Sequence, residues 1–152
     1  MGALDVRLAK IDEPKFDDVI GLELEEDQKD NLPSNLYSIA ESTLSPLFHP
    51  RAILLDGKVV GFVMYQFGAV GAFDEGECTI WRFMIDRAMQ NRGVGQAAMA
   101  IVIEEIKSHG LCDLIDIYYS PKNTVAQRVY SRFGFVETGH RDDGDIIAEL
   151  KL

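Results

Sequence analysis

Gln90-Asn91-Arg92-Gly93-Val94-Gly95-Gln96 stands between a β-rich run and a long stretch of helical periodicity. Glycines at 93 and 95 let the backbone come close to a ligand, and the first turn of the helix that follows leaves N–H groups unpaired. Together with the positive end of the helix dipole, such a loop is a site for a diphosphate. An isolated Gly-x-Gly more often serves a plain connecting turn, so the loop alone decides nothing. Gly93-Val94-Gly95-Gln96-Ala97-Ala98 also fits the dinucleotide fingerprint Gly-x-Gly-x-x-Ala, with Asp113 and Asp116 placed downstream for a ribose contact. In that fold, however, the glycines follow their strand almost at once within an early βαβ unit. Here a polar stretch, 86–92, intervenes and hairpin strands precede it. The loop also lacks the Gly-Lys-Ser/Thr ending of a triphosphatase, which needs lysine for the γ-phosphate.

The elements that position this loop follow from periodicity. Residues 6–8 read as a short strand. Asp12 or Asp17 can cap a helix whose stripe is Phe16, Val19, Ile20 and Leu24, and Ser34 can cap a second one running to Leu44 before Pro46. Residues 51–55 and 59–67 are β-rich and joined by Asp56-Gly57, a tight-hairpin signal. A third β-rich run covers 77–85. Ala97, Ala98, Ala100, Ile101, Ile103 and Ile106 mark a helix over 95–107, with Gly110 as its stop. A strand at 114–119, a helix at 124–133 and strands at 135–138 and 146–150 complete the chain. The order β-α-α-β-β-β-α-β-α-β-β predicts an α+β fold, a mostly antiparallel sheet flanked by helices.

The 152 residues suit one domain, 1–152, and 47% apolar with 26% charged residues is ordinary for a globular chain. No apolar run reaches the roughly 20 residues that span a bilayer, and Met1-Gly2-Ala3-Leu4-Asp5 shows no secretory pattern. Cys78 and Cys112 lack the spacing of a metal or redox pair, and His49, His109 and His140 are scattered, so a reduced, cytoplasmic, metal-free protein is expected. The net charge of −10 argues against nucleic acid, which is held by Lys and Arg. It suits solubility, and it can attract cationic small molecules.

Gln90-x-x-Gly93-x-Gly95 resembles the acetyl-CoA signature of the GNAT N-acetyltransferase superfamily, Gln/Arg-x-x-Gly-x-Gly/Ala. Independently, Asn123-Thr124-Val125-Ala126, then Tyr130, then Gly134-Phe135, resembles that superfamily's Asn-x-x-Ala-x-x-x-Tyr-x-x-x-Gly-Phe segment. The likeness covers most of 51–152 and, more weakly, the first fifty residues. Within the superfamily the chain is most similar to bacterial diamine and polyamine (spermidine/spermine-type) acetyltransferases. That closer likeness rests on Glu25-Glu26-Asp27-Gln28 before Asn35-x-Tyr37-Ser38, on Trp81-Arg82-Phe83-Met84-Ile85-Asp86, and on Asp143-Gly144-Asp145-Ile146-Ile147.

The resemblance implies a GNAT-like fold with acetyl-CoA as co-substrate. Phe83, Met84 and Ile85 would face the pantetheine arm and thioester. Gln90, Asn91, Arg92, Gly93, Val94, Gly95 and Gln96 would wrap the diphosphate, with Asn123, Ala126 and Tyr130 further along the coenzyme. Transfer to an amine needs a neutral nucleophile, a donor for the developing oxyanion and a proton for the thiolate. A backbone N–H near Met84 serves the oxyanion, and Tyr130, with a reference pKa of about 10, is the general acid. Some relatives place a glutamate base on the strand near the thioester, where Trp81 stands here. Glu77 is taken as the base acting through water, on the same alternating face as Trp81 and Phe83. A purely structural role for Glu77 remains the alternative.

The acceptor is expected to be a small cationic amine such as a polyamine or diamine. Nine acidic residues stand against two lysines between Asp12 and Asp30. Superfamily members commonly build the acceptor pocket from this region, so Glu25 and Glu26 would hold distal ammonium groups while Tyr37 or Trp81 covers the methylene chain. A solvated helix face is the alternative. Rival readings are another acceptor (a protein N-terminus, an amino acid or an aminoglycoside) or a non-catalytic acyl-CoA sensor. A homodimer is what the resemblance suggests for assembly.

Overall fold

A computed structural model describes residues 4–26, 33–68 and 75–152. The chain runs β1 (Val6–Ala9), α1 (Glu13–Ile20), α2 (Asn35–Ser42), β2 (Phe48–Leu55), β3 (Lys58–Phe67), β4 (Glu77–Ile85), α3 (Val94–His109), β5 (Leu114–Tyr119), α4 (Thr124–Arg132), β6 (Val136–His140) and β7 (Ile146–Lys151), the order that the pattern predicts. Asp27 and Gln28 of the acidic stretch, and Met1 to Ala3 of the start, lie outside the described residues. Among the described residues no helix is long and apolar enough to cross a membrane.

Side-chain caps fix three helix starts: Asp12, Ser34 and Asn123 accept from the backbone N–H groups of Lys15, Tyr37 and Ala126. Leu24 falls outside α1, because the helix ends at Gly21, whose N–H returns to the Asp17 carbonyl. β2 starts earlier than expected and contains Pro50. The proline is tolerated because β1 pairs only with 52–55, leaving that edge of β2 without a ladder at Pro50.

The strands form one seven-stranded sheet, β1-β2-β3-β4-β5-β7-β6, antiparallel throughout except for β4 beside β5. One face packs against α3 and α4 through residues such as Val63, Tyr65, Ile80, Met99, Val102 and Ile106. The other packs against α1 and α2 through Val19, Ala52, Phe62, Met64 and Met84. Arg82 ties α2 down, donating to Ser38 Oγ at 3.1 Å and pairing with Glu41 at 3.3 Å. The fold also brings Cys78 beside Cys112. Burial, the largest cause for each, pushes both thiols above the ordinary range, so they stay protonated.

Two irregularities lie on β4. Arg82 pairs with Met64 while Ile80 pairs with Tyr65, so Trp81 is an extra, bulged residue. The bulge keeps Trp81 and Arg82 on the α1/α2 face and sends Phe83 to the α3/α4 face, so Trp81 and Phe83 do not share the face that simple alternation predicts. The second irregularity is a divergence. β4 and β5 pair only from Glu77/Leu114 to Ile80/Ile117, after which β4 stays with β3 and β5 with β7.

The buried face fixes one expected outcome. Phe62→Ala, at 0% exposure, should lower the free energy of unfolding in urea by about 3–5 kcal/mol. Leu44→Ala, at 81% exposure, should change it by no more than about 0.5 kcal/mol.

Candidate active site

Where β4 and β5 diverge, the sheet opens into a cleft of about 750 Å³, within the range of small-molecule sites. Residues 81–85 present backbone polar groups toward β5 without a ladder partner there. Buried backbone groups need partners, and an extended, amide-containing ligand can supply them as an added strand does. Both faces of the sheet contribute walls: Phe83, Ile85, Ala126, Val129 and Tyr130 from the α3/α4 side, and Trp81, Met84 and Leu24 from the α1/α2 side.

The loop 90–96 closes one end. Gln90 donates its amide to the Ile85 carbonyl at 2.9 Å, which fixes the loop to the end of β4. Gly93 caps α3 at φ 81°, a left-handed conformation that favours glycine, and no side chain caps the first turn of α3. Gly95 differs. A Cβ there would meet only Ile85 Cγ1 at 3.7 Å, an ordinary contact, so the protein itself leaves room at this position. Asn91, Gly93, Gly95 and Gln96 all line the cleft, and Arg132 reaches Gln96 from α4 at 3.4 Å. A helix N-terminus with free amides, open space at Gly95 and a nearby guanidinium fit a diphosphate.

Tyr130 stands in the same wall, 7% exposed, its ring 5.4 Å from that of Tyr119 and 5.9 Å from that of Phe135. Burial, and then the neighbouring Tyr119, push its phenol above the ordinary range, so it keeps its proton well past neutral pH. Asn123 and Ala126 line the cleft as well, Asn123 also acting as the α4 cap.

Across the cleft, Trp81 donates its indole N–H to Gln66 at 2.9 Å and lies 5.6 Å from the Tyr118 ring. The Arg141 guanidinium sits over both rings, 4.5 Å from Tyr118 and 5.8 Å from Trp81. Asp143 and Asp145, on the turn between β6 and β7, complete this side. The segment after α1 is held in place where the Glu23 N–H donates to Asp86 at 2.8 Å and its carboxylate pairs with Arg87 at 3.0 Å.

Several expected residues lie elsewhere. Glu77 pairs with Leu114 where β4 and β5 are still joined, and it does not line the cleft. Tyr37 is 57% exposed on α2 and Val94 is buried in the core, and neither reaches the cleft wall. Glu25 and Glu26 are exposed on the segment that carries Leu24, and neither they nor Arg92 line the cleft. Tyr118, Arg132, Asp143 and Asp145 were not expected there. Asp143 and Asp145 had a signal, since their segment carries part of the polyamine-type likeness, but only the sheet order, with β7 beside β5, brings their turn to the cleft.

A sheet opened between two parallel strands, with a glycine-led helix start at one end and a buried tyrosine beside it, defines a coenzyme-A-dependent acyl-transfer fold. Residues 10–135 match the model of the acetyltransferase (GNAT) family, and the chain belongs to that family. A spermine/spermidine N(1)-acetyltransferase of Bacillus subtilis (strain 168) is 27% identical over 128 residues, covering 82% of this chain and 83% of its own length. The aminoglycoside acetyltransferase AAC(6')-Ib, solved with coenzyme A, superposes with a TM-score of 0.78 at 17% identity, covering 97% of this chain and 95% of that one. A ribosomal-protein alanine N-acetyltransferase from Escherichia coli gives 0.73 at 18% identity, covering 96% and 93%. The protein is an acetyl-CoA-dependent N-acetyltransferase.

The two glycines separate backbone strain from ligand room. Gly93→Ala should destabilise the fold by about 1–2 kcal/mol, the cost of a left-handed residue with a Cβ. Gly95→Ala, inside α3, should be neutral or stabilising by up to about 1 kcal/mol in the same denaturation experiment.

Proposed function

We propose that the enzyme acetylates a primary amine of a small polycation of the spermidine and spermine class. The observation that carries this reading is the pair of carboxylates, Asp143 and Asp145, on the cleft wall that also holds Trp81 and Tyr118. Carboxylates at the rim suit distal ammonium groups, and aromatic rings suit a methylene chain and its cations. The sequence relative named for spermine and spermidine supports the same class. Glu25 and Glu26, exposed near Leu24, add to the acidic approach and act over a longer, salt-screened range.

Acetyl-CoA supplies an acetyl group activated as a thioester. In this reading the amides of residues 94–96 and Arg132 hold the diphosphate, and the open edge of residues 83–85 aligns the pantetheine arm. A backbone N–H near Met84 receives the developing negative oxygen. Tyr130, held protonated by burial, gives its proton to the departing sulfur. This reading gives Glu77 no role, since it lies where β4 and β5 are still paired and is not among the residues that line the cleft.

An assay of thiol release from acetyl-CoA against spermidine, spermine, a diamine, an aminoglycoside, an amino acid and a peptide tests the acceptor. The polyamines should give the highest kcat/KM, and preference for the amino acid or the peptide would contradict the proposal. Asp143→Asn with Asp145→Asn should raise the KM for spermidine at least about tenfold with kcat little changed, the pattern of lost substrate binding. Tyr130→Phe should leave coenzyme A affinity intact and lower kcat at least about tenfold. Gly95→Ala should weaken coenzyme A at least about tenfold in a calorimetric titration, since its new methyl group enters the space left for the ligand.

A further inference from the structure

Asp116 and Tyr118 lie two residues apart on β5 and so share a face, where the Tyr118 hydroxyl donates to Asp116 Oδ2 at 3.0 Å. Asp116 is 6% exposed, and its Oδ1 has no hydrogen-bond partner among the described residues. An unsatisfied buried carboxylate oxygen is costly, and such atoms call for a reason. Structure alone does not give one. The register places Thr79 of β4 and Glu149 of β7 opposite Asp116, and neither is a cation. Tyr118, by contrast, is at the cleft wall beside Trp81, with the Arg141 guanidinium over its ring. A hydroxyl in the cleft is therefore backed by a carboxylate withdrawn from it.

We propose that Tyr118 is the catalytic group that accepts the proton of the acceptor ammonium, and that Asp116 is a positioning residue that receives Tyr118's own proton. The inference rests on the acetyl-transfer reading above and supplies the base that reading lacks. One ammonium N–H bond breaks and its proton joins the Tyr118 oxygen, while the original Tyr118 proton moves to Asp116 Oδ2. The electron pair left on nitrogen forms the bond to the acetyl carbon. The C–S bond breaks with its pair on sulfur, which takes the Tyr130 proton. The nitrogen, now bonded to the acetyl carbon, gives up its second proton to solvent to leave the neutral amide. Asp116 then returns its proton through Tyr118 to solvent, and Tyr130 is reprotonated from solvent.

Two further features favour a relay over a free tyrosinate. Burial, then the charge and hydrogen bond of Asp116, push Tyr118 up to about 12, so it carries a proton at neutral pH and has one to pass on. Arg141 adds a positive charge beside the reacting position, which disfavours a second one there and helps the ammonium lose its proton. The rim carboxylates Asp143 and Asp145 are placed for the distal charges instead.

Tyr118→Phe and Asp116→Asn, assayed by thiol release with two acceptors, test the relay. Spermidine carries alkylammonium groups with pKa values near the lysine reference of about 10.4. Trifluoroethylamine is a weakly basic primary amine that is already neutral at pH 7. With spermidine at pH 7, both variants should lose at least about tenfold in kcat with KM little changed. The loss should shrink as the pH approaches about 10, where the free amine becomes abundant. With trifluoroethylamine the variants should stay within about twofold of the wild type, a sparing that a misfolded protein would not show. Equal losses with both acceptors, a loss that does not change with pH, or no loss would each overturn the relay. A wild-type protein that releases no thiol with either acceptor would contradict the transferase reading itself, and the relay with it.

Discussion

The parting of β4 from β5 after Ile80 and Ile117 is the constraint from which the rest of the molecule follows. Paired to their ends, the two strands would close the sheet and satisfy each other's backbone groups. The bulge at Trp81 turns β4 away at the point where pairing stops, as bulges increase local twist. β3 on one side and β7 on the other keep each strand in place on either side of the opening. What remains is an edge of polar backbone in an otherwise apolar cleft, a shape that an amide-containing arm can complete.

Because the opening passes through the sheet, two chemistries can approach one point from opposite sides. On the α3/α4 side are the free helix start, Arg132 and the buried phenol of Tyr130, all suited to an anionic coenzyme and its leaving group. On the α1/α2 side are Trp81, Tyr118 and the carboxylates of Asp143 and Asp145, suited to a cation. The overall charge of −10 hides this division. A strongly acidic chain can still hold a diphosphate, because backbone amides and one or two guanidinium groups act at short range while the remaining charge is screened.

The order of elements was legible because each follows from local chemistry: capping residues before periodic stripes, Asp56-Gly57 between two β-rich runs, and Gly110 after a long helix. The glycine-led loop at the end of the cleft was legible for the same reason, being contiguous in the chain. The side proposed for the acceptor was not. Its residues come from the bulged part of β4, the end of β5 and the β6–β7 turn, which meet only because β7 lies between β5 and β6. Strict alternation places Glu77, Trp81 and Phe83 on one face, whereas the extra residue leaves Glu77 and Trp81 together and sends Phe83 to the other. Tyr37 and the acidic pair Glu25 and Glu26 are near the cleft in sequence order but turn to solvent. No local pattern signals that Asp116, a single acid within an apolar strand, is buried under Tyr118.

The central claim is that the gap between β4 and β5 receives the coenzyme. A crystal structure of the protein with coenzyme A tests it most directly. The account predicts the pantetheine arm paired with the backbone of residues 83–85, the diphosphate on the amides of residues 94–96, and the sulfur beside the Tyr130 hydroxyl. A coenzyme bound elsewhere, or an arm that leaves the open edge of β4 unpaired, would contradict it.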